Sequence, residues 1–288
     1  MDKRNKKLKT QLTRLYRTFD LEFLSPDPLE LVRKFRSARN KEVAGLVASS
    51  LAYGRVEGIL RSVTDVMERI KWQPYLFTMN TGPKEAARVF KGFKHRFNTG
   101  ADVACLLYFA RQMIEAEGSI GAFFTKGYNP KDKNIKNTLI SFTERTLALD
   151  SGGIYGVKSL PKNAGVRYFF PSPLKGSACK RLNLYLRWMV RKGDSLDFGL
   201  WTEINPAKLI IPLDTHVARI SRNIGLTKRK SANWRMAEEI TEALAALDKA
   251  DPVKFDFSLC RLGILEKCPK NTDPALCEKC LIREICVL

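Results

Sequence analysis

Four cysteines, Cys268, Cys277, Cys280 and Cys286, fall within 21 residues and follow the spacing C-x8-C-x2-C-x5-C. Only Cys105, Cys179 and Cys260 occur elsewhere. Thiolates are soft ligands suited to iron–sulfur clusters and to zinc. A four-sulfur zinc site usually offers two close C-x2-C pairs, and here only Cys277 and Cys280 make one. The spacing therefore points to a [4Fe–4S] cluster, with zinc as the alternative. Clustered thiols of this kind bind metal more readily than they form a disulfide framework. Cys105, Cys179 and Cys260 sit in apolar surroundings and read as small core residues.

A second chemical feature lies upstream, in Pro212-Leu213-Asp214-Thr215-His216. Val217, Ile220 and Ile224 follow on one helical face, so Asp214 stands where a helix begins. Its carboxylate suits N-capping, and also stabilisation of an oxocarbenium-like transition state; the two roles are compatible, because a cap fixes the carboxylate's direction. His216 could hydrogen-bond a phosphate or settle the helix start.

Such chemistry also needs a nucleophile, either an activated water or a lysine amine acting through a Schiff base. On a helix starting near Ser177, the residues Ala178, Leu182, Tyr185, Leu186 and Met189 gather on one side. Lys180, Arg187 and Arg191 form a band opposite, either lining a cleft or making a solvated basic stripe. Lys175 and Lys192 are rival amines, and activated water is the lysine-free route. Trp188 and Tyr53 could stack on an extruded base, the rival role being core packing. His95 lies in a basic-aromatic run, Lys91-Gly92-Phe93-Lys94-His95-Arg96-Phe97.

The elements that must hold these groups are helical. Val56, Ile59, Leu60, Val63, Val66, Met67 and Ile70 recur at three- and four-residue steps, as do Val103, Leu106, Leu107, Ala110, Met113 and Ile114. Trp234, Ala237, Ile240, Leu244 and Leu247 repeat the pattern, entered through Ser231 as N-cap. Val43-Ala44-Gly45-Leu46-Val47-Ala48 has hardly a polar face and predicts a helix buried on most sides. Strand signals are few, so the fold class is all-α, with roughly ten helices. The stretch 151–176 lacks a helical period and reads as a long loop whose aromatics either contact a ligand or pin it to the body.

Fifty Lys plus Arg against 30 Asp plus Glu leave a formal charge of +20. A polyanion is the expected partner, because counterion release rewards such an excess. No apolar run approaches the ~20 residues that span a bilayer. The polar start of the chain lacks a secretory h-region, which predicts a cytoplasmic protein.

These motifs carry a resemblance. The cysteine tail resembles the cluster loop of endonuclease III-type enzymes, which ends in the same C-x2-C-x5-C; the first gap here is two residues longer. Ile210 to Arg219 resembles the V-D-T-H-V segment of the helix-hairpin-helix DNA glycosylase superfamily, and Asp27-Pro28-Leu29-Glu30-Leu31 resembles the segment that opens that fold. The superfamily's L-P-G-[VI]-G hairpin is absent. The region around Lys180, 34 residues before Asp214, looks more like the archaeal 8-oxoguanine glycosylase branch. The whole chain is similar to a bacterial family of unassigned role within that superfamily.

The resemblance implies a two-lobed helix-hairpin-helix glycosylase-like fold. Residues 1–40 would pack with the C-terminal lobe, 41–204 would form a helical lobe, and 205–288 would supply C-terminal helices and the iron–sulfur loop. The implied activity is base-excision repair: a DNA N-glycosylase removing a damaged base, an oxidised base among the candidates, with or without AP-lyase cleavage. Asp214 and Lys180 would be catalytic. Lys175, Arg187, Arg191, His216 and Arg219 would contact DNA, and Trp188 and Tyr53 would line the base pocket. The partner is duplex DNA carrying a damaged base, met by a nucleoid-associated monomer. The alternative is a non-catalytic iron–sulfur protein that binds DNA or RNA.

Overall fold

The computed structural model describes residues 2–266, 268–269 and 271–287. They are 59% helix and 1% strand, so the expected all-α class holds. The ten or so expected helices become fifteen among the described residues, because several are single turns such as Gly152–Tyr155 and Pro274–Cys277. None is long and apolar enough to cross a membrane.

The chain divides into two compact units. One joins residues 1–24, 133–135 and 173–288; the other comprises 25–132 and 136–172.

At the centre of the second unit is the helix Ala38–Ser50, begun by Ser37, whose hydroxyl accepts from the Asn40 N–H. Every residue from Glu42 to Ser50 is buried, which is why this stretch shows no polar face. The Glu42 carboxylate is satisfied there by the Gly121 N–H at 3.0 Å. The amphipathic helices Val56–Arg69 and Gly100–Glu117 pack against it.

Between those two helices runs the one hairpin among the described residues. Lys94 pairs with Thr99 and His95 with Asn98, which leaves Arg96 and Phe97 at the tip. The next helix is fixed at its start by Asp102, which accepts from the Thr99 N–H at 2.8 Å. Gly100 opens that helix against the backbone of Phe90, where a Cβ would stand 1.9 Å from the Phe90 carbonyl oxygen. Backbone cannot yield as a side-chain tip can. Gly100→Ala is therefore expected to destabilise the protein by about 2–3 kcal/mol, as overpacking does, seen as a lower urea midpoint with an unchanged slope.

The aperiodic stretch from residue 151 is mostly pinned to the body. Val166, Phe169 and Phe170 are buried, and the Arg167 guanidinium donates to the carbonyls of Leu160 and Pro161 at 2.6 and 2.7 Å. Tyr168 alone among its aromatic run stays well exposed, at 43%.

The other unit is built from the helices Lys3–Thr18, Lys180–Val190, Thr215–Asn223, Trp234–Ala245 and Asp256–Ile264. Two expected helix starts move. Asn233, not Ser231, caps the Trp234 helix, because its side chain accepts from the Met236 N–H at 3.1 Å, three residues on. The helix expected near Ser177 begins at Lys180, behind Cys179 in a left-handed conformation with φ of 49°.

Candidate functional site

Asp214 has extended backbone and caps the helix Thr215–Asn223. Its Oδ1 accepts from the Val217 N–H at 2.7 Å, and its Oδ2 accepts from the Cys260 thiol at 3.3 Å. The carboxylate is thus held from two sides while remaining partly exposed. Cys260 is therefore more than the small core residue expected of it: half-buried, it is a direct partner of Asp214. Cys105 and Cys179 are buried as expected.

Cys260 belongs to the helix Asp256–Ile264, which packs closely on the Asp214 helix. Gly263 permits the approach, since a Cβ there would lie 2.6 Å from His216. At its start the same helix buries Asp256, whose carboxyl accepts from Arg187 at 2.6 Å. Burial pushes that carboxyl up to about 7; Arg187 pulls it back, and the charge of Asp214 adds to the rise. A carboxyl near neutrality thus stands within electrostatic reach of Asp214.

On the same helix, the Arg219 guanidinium donates to His216 Nδ1 at 3.2 Å. It also draws down the Cys268 thiol, which burial raises. Arg219 therefore stands between His216 on its own helix and Cys268 of the tail.

All four tail cysteines line a single cavity of about 30 Å³, more than the ~10–15 Å³ one water needs. Ile220, Ile224 and Leu262 supply its apolar wall, and Asn223 from the end of the Asp214 helix joins them. Among the described residues the buried Asn223 Nδ2 has no hydrogen-bond partner. Buried donors are rarely left so. Four thiols at one cavity are the donor type that iron–sulfur clusters and zinc both take. Among the described residues, no three Cys, His, Asp or Glu side chains close around one metal position.

The helix Lys180–Val190 overturns one expected face. Arg187 and Arg191 are 3% and 2% exposed and point inward, not into a basic band. Arg187 pairs with Asp197 at 3.3 Å and with Asp256. Arg191 pairs with Asp194 at 2.8 Å, with Asp251 at 2.9 Å and with Asp197. Asp194 also accepts from the Tyr16 hydroxyl at 2.9 Å. These arginines are spent on carboxylates inside the protein, so neither is placed to hold a phosphate. Asp251 and Asp256 lie 60 and 69 residues from their arginines in sequence, out of reach of helical periodicity.

Trp188 is fully buried, which removes it from any base pocket. Tyr53 is half-buried in the other unit, its hydroxyl engaged with the His95 carbonyl at 2.9 Å and with Asn98 Oδ1 at 2.7 Å. Lys180 opens its helix partly exposed. Lys175 is exposed on the turn Pro173–Lys175, beside Leu174, which is 70% exposed.

No curated protein and no solved structure matches the chain. A family model described as a protein of unknown function (DUF2400) matches residues 27–265. The match takes in the buried helix, the hairpin, Lys180, Asp214 and Cys260, and the chain belongs to that family.

Proposed function

We propose that this protein is a DNA base-excision glycosylase that carries a [4Fe–4S] cluster in its cysteine tail. The observation that carries the reading is Asp214: a partly exposed carboxylate, aimed by an N–H and a thiol, at the start of the helix that walls the four-cysteine cavity. Such a fixed carboxylate can stabilise the positive charge that develops on a sugar as its glycosidic bond breaks. Cys268, Cys277, Cys280 and Cys286 would hold the cluster, and Asn223 would donate to it. When bound, the cluster would brace the C-terminal segment against the Asp214 helix.

Lys180 is the candidate amine for a Schiff-base route, with water held near Asp214 as the other nucleophile. The partner would be a duplex. The helix Lys3–Thr18 supports this with a face of Lys6, Lys9, Arg14 and Arg17 interleaved with threonines and free of acidic residues, suited to phosphate contacts. The exposed Leu174 and Lys175 precede Lys180 and suit an apolar wedge beside a phosphate contact.

The test is a panel of duplexes carrying 8-oxoguanine, an oxidised pyrimidine, uracil or an alkylated purine, with and without borohydride, on anaerobically purified protein. Release of one base is the expected result, together with visible charge-transfer absorbance that disappears in Cys280→Ala. A trapped adduct lost in Lys180→Gln would assign the amine. The inward turn of Arg187 and Arg191 favours a second reading, a cluster protein that binds nucleic acid without cleaving it. Tight, salt-sensitive binding with no release on any duplex would establish that reading, and colourless protein containing zinc would overturn the cluster.

A further inference from the structure

The hairpin unit carries a second surface, remote in sequence from Asp214. Phe97 at the hairpin tip is 68% exposed and Tyr168 43%. The Phe97 ring lies parallel to that of Tyr53, within 5° at 6.3 Å between centroids, and Tyr168 meets both edge-on at 5.0 and 5.9 Å. An exposed phenylalanine is not held by the hydrophobic effect; this one extends a set of rings whose base is anchored. Tyr53 is pinned through its hydroxyl. Beneath it, His95 is buried and fully engaged, its Nδ1 accepting from the Ser62 hydroxyl at 2.8 Å and its Nε2–H donating to the Tyr53 carbonyl at 3.1 Å.

Arg96 sits over the rings of Tyr53 and Phe97 at 5.9 and 5.4 Å. Its backbone is left-handed, with φ of 52°. That conformation is costly for any side chain but glycine's, so an arginine here is kept against a local preference. Beside the rings opens a groove of about 470 Å³ whose charged lining is Arg55, Arg61, Lys94, Arg96 and Asp65. Asp65 is paired with Arg69 at 2.8 Å, so the groove presents cations.

Rigid aromatic faces beside a cationic channel match unstacked bases and their phosphates, because every base offers a π-face and every phosphate a charge. We propose that Phe97, Tyr168 and Tyr53, with Arg96 and the Arg55–Arg61–Lys94 groove, form a binding site for single-stranded nucleic acid. The bases stack on Phe97 and Tyr168, and the backbone follows the groove. This surface shares no residue with the Asp214 site; Tyr53, the base-pocket candidate of the resemblance, and a polyanionic partner are what it has in common with the glycosylase reading.

The test is anisotropy of fluorescein-labelled (dT)12 with the full-length protein at 50 and 200 mM salt. No damaged base is present, so the result does not depend on whether any base is excised. Phe97→Ala is expected to weaken binding about tenfold, and Phe97→Trp to retain it. Arg96→Gly fits the left-handed turn better. It should keep or raise the thermal midpoint while weakening binding and lowering the salt slope by about one. Binding of (dT)12 by Phe97→Ala and Arg96→Gly at the wild-type level overturns the proposal. So does equal loss on a blunt duplex of the same length, or a Phe97-dependent attachment to anionic vesicles with none to (dT)12.

Discussion

Asp214→Asn should leave the protein folded and bound to damaged duplex but lower base release by about 10²–10⁴-fold, the range of a positioned acid–base group. Asparagine caps a helix as well as aspartate does, so its amide oxygen can keep the Val217 N–H and the unfolding midpoint should barely move. What disappears is the negative charge. The loss should therefore fall on single-turnover rate and not on duplex affinity, which separates a chemical role from a structural one. Asp214→Ala adds a second signature. It removes the cap and the thiol's acceptor together, and should lower stability by about 1 kcal/mol on top of the same rate loss. Unchanged base release in Asp214→Asn would end the catalytic assignment.

The largest stability effect is expected at Arg187. Arg187→Met removes the guanidinium between Asp197 and Asp256 and leaves two buried carboxylates facing fewer cations. Breaking a buried pair in this way costs about 3–5 kcal/mol.

The loss should depend on pH, in a stated direction. Burial already raises Asp256 to about 7 and raises Asp197 as well, against roughly 3.9 in the unfolded chain. Removing Arg187 raises both further. A carboxyl raised on folding contributes stability that is full below the unfolded value and lost as pH rises through the folded one. Urea titrations should therefore show Arg187→Met much weaker than wild type at pH 8 and closer to it at pH 5. A pH-independent deficit would mean that lost packing, not stranded charge, is responsible.

The helical class and the buried helix Ala38–Ser50 were legible in the sequence, because side-chain spacing encodes local geometry directly. The same holds for Asp214 as a cap, since capping is decided within four residues. The faces of Lys180–Val190 were not. Arg187 and Arg191 look like a solvated stripe until Asp251 and Asp256 arrive from a segment distant in sequence. Cys260 and Asn223 were missed for a related reason: one meets Asp214 across a helix pair and the other meets the cysteine cavity at a helix end, and neither meeting has a local signature. Ser231 misled because two capping residues stood close together and the better-placed Asn233 took the role. The basic-aromatic run ending in Arg96 and Phe97 was legible, but not the two-residue turn that exposes them, because glycine or asparagine usually occupies such a turn.

The way the first unit is assembled sets an order of events during synthesis. Residues 25–132 and 136–172 leave the ribosome as nearly the whole of one unit, so that part can fold while the rest is still being translated. Residues 1–24 belong with 173–288 and must wait for them. At about 5–20 residues per second, the delay until Cys286 is made is roughly 15–50 s. Until residues 252–264 follow, the helix Lys3–Thr18 lacks the segment that packs against it in the folded unit. Cys268, Cys277, Cys280 and Cys286 therefore join a unit that the far earlier segment 1–24 began.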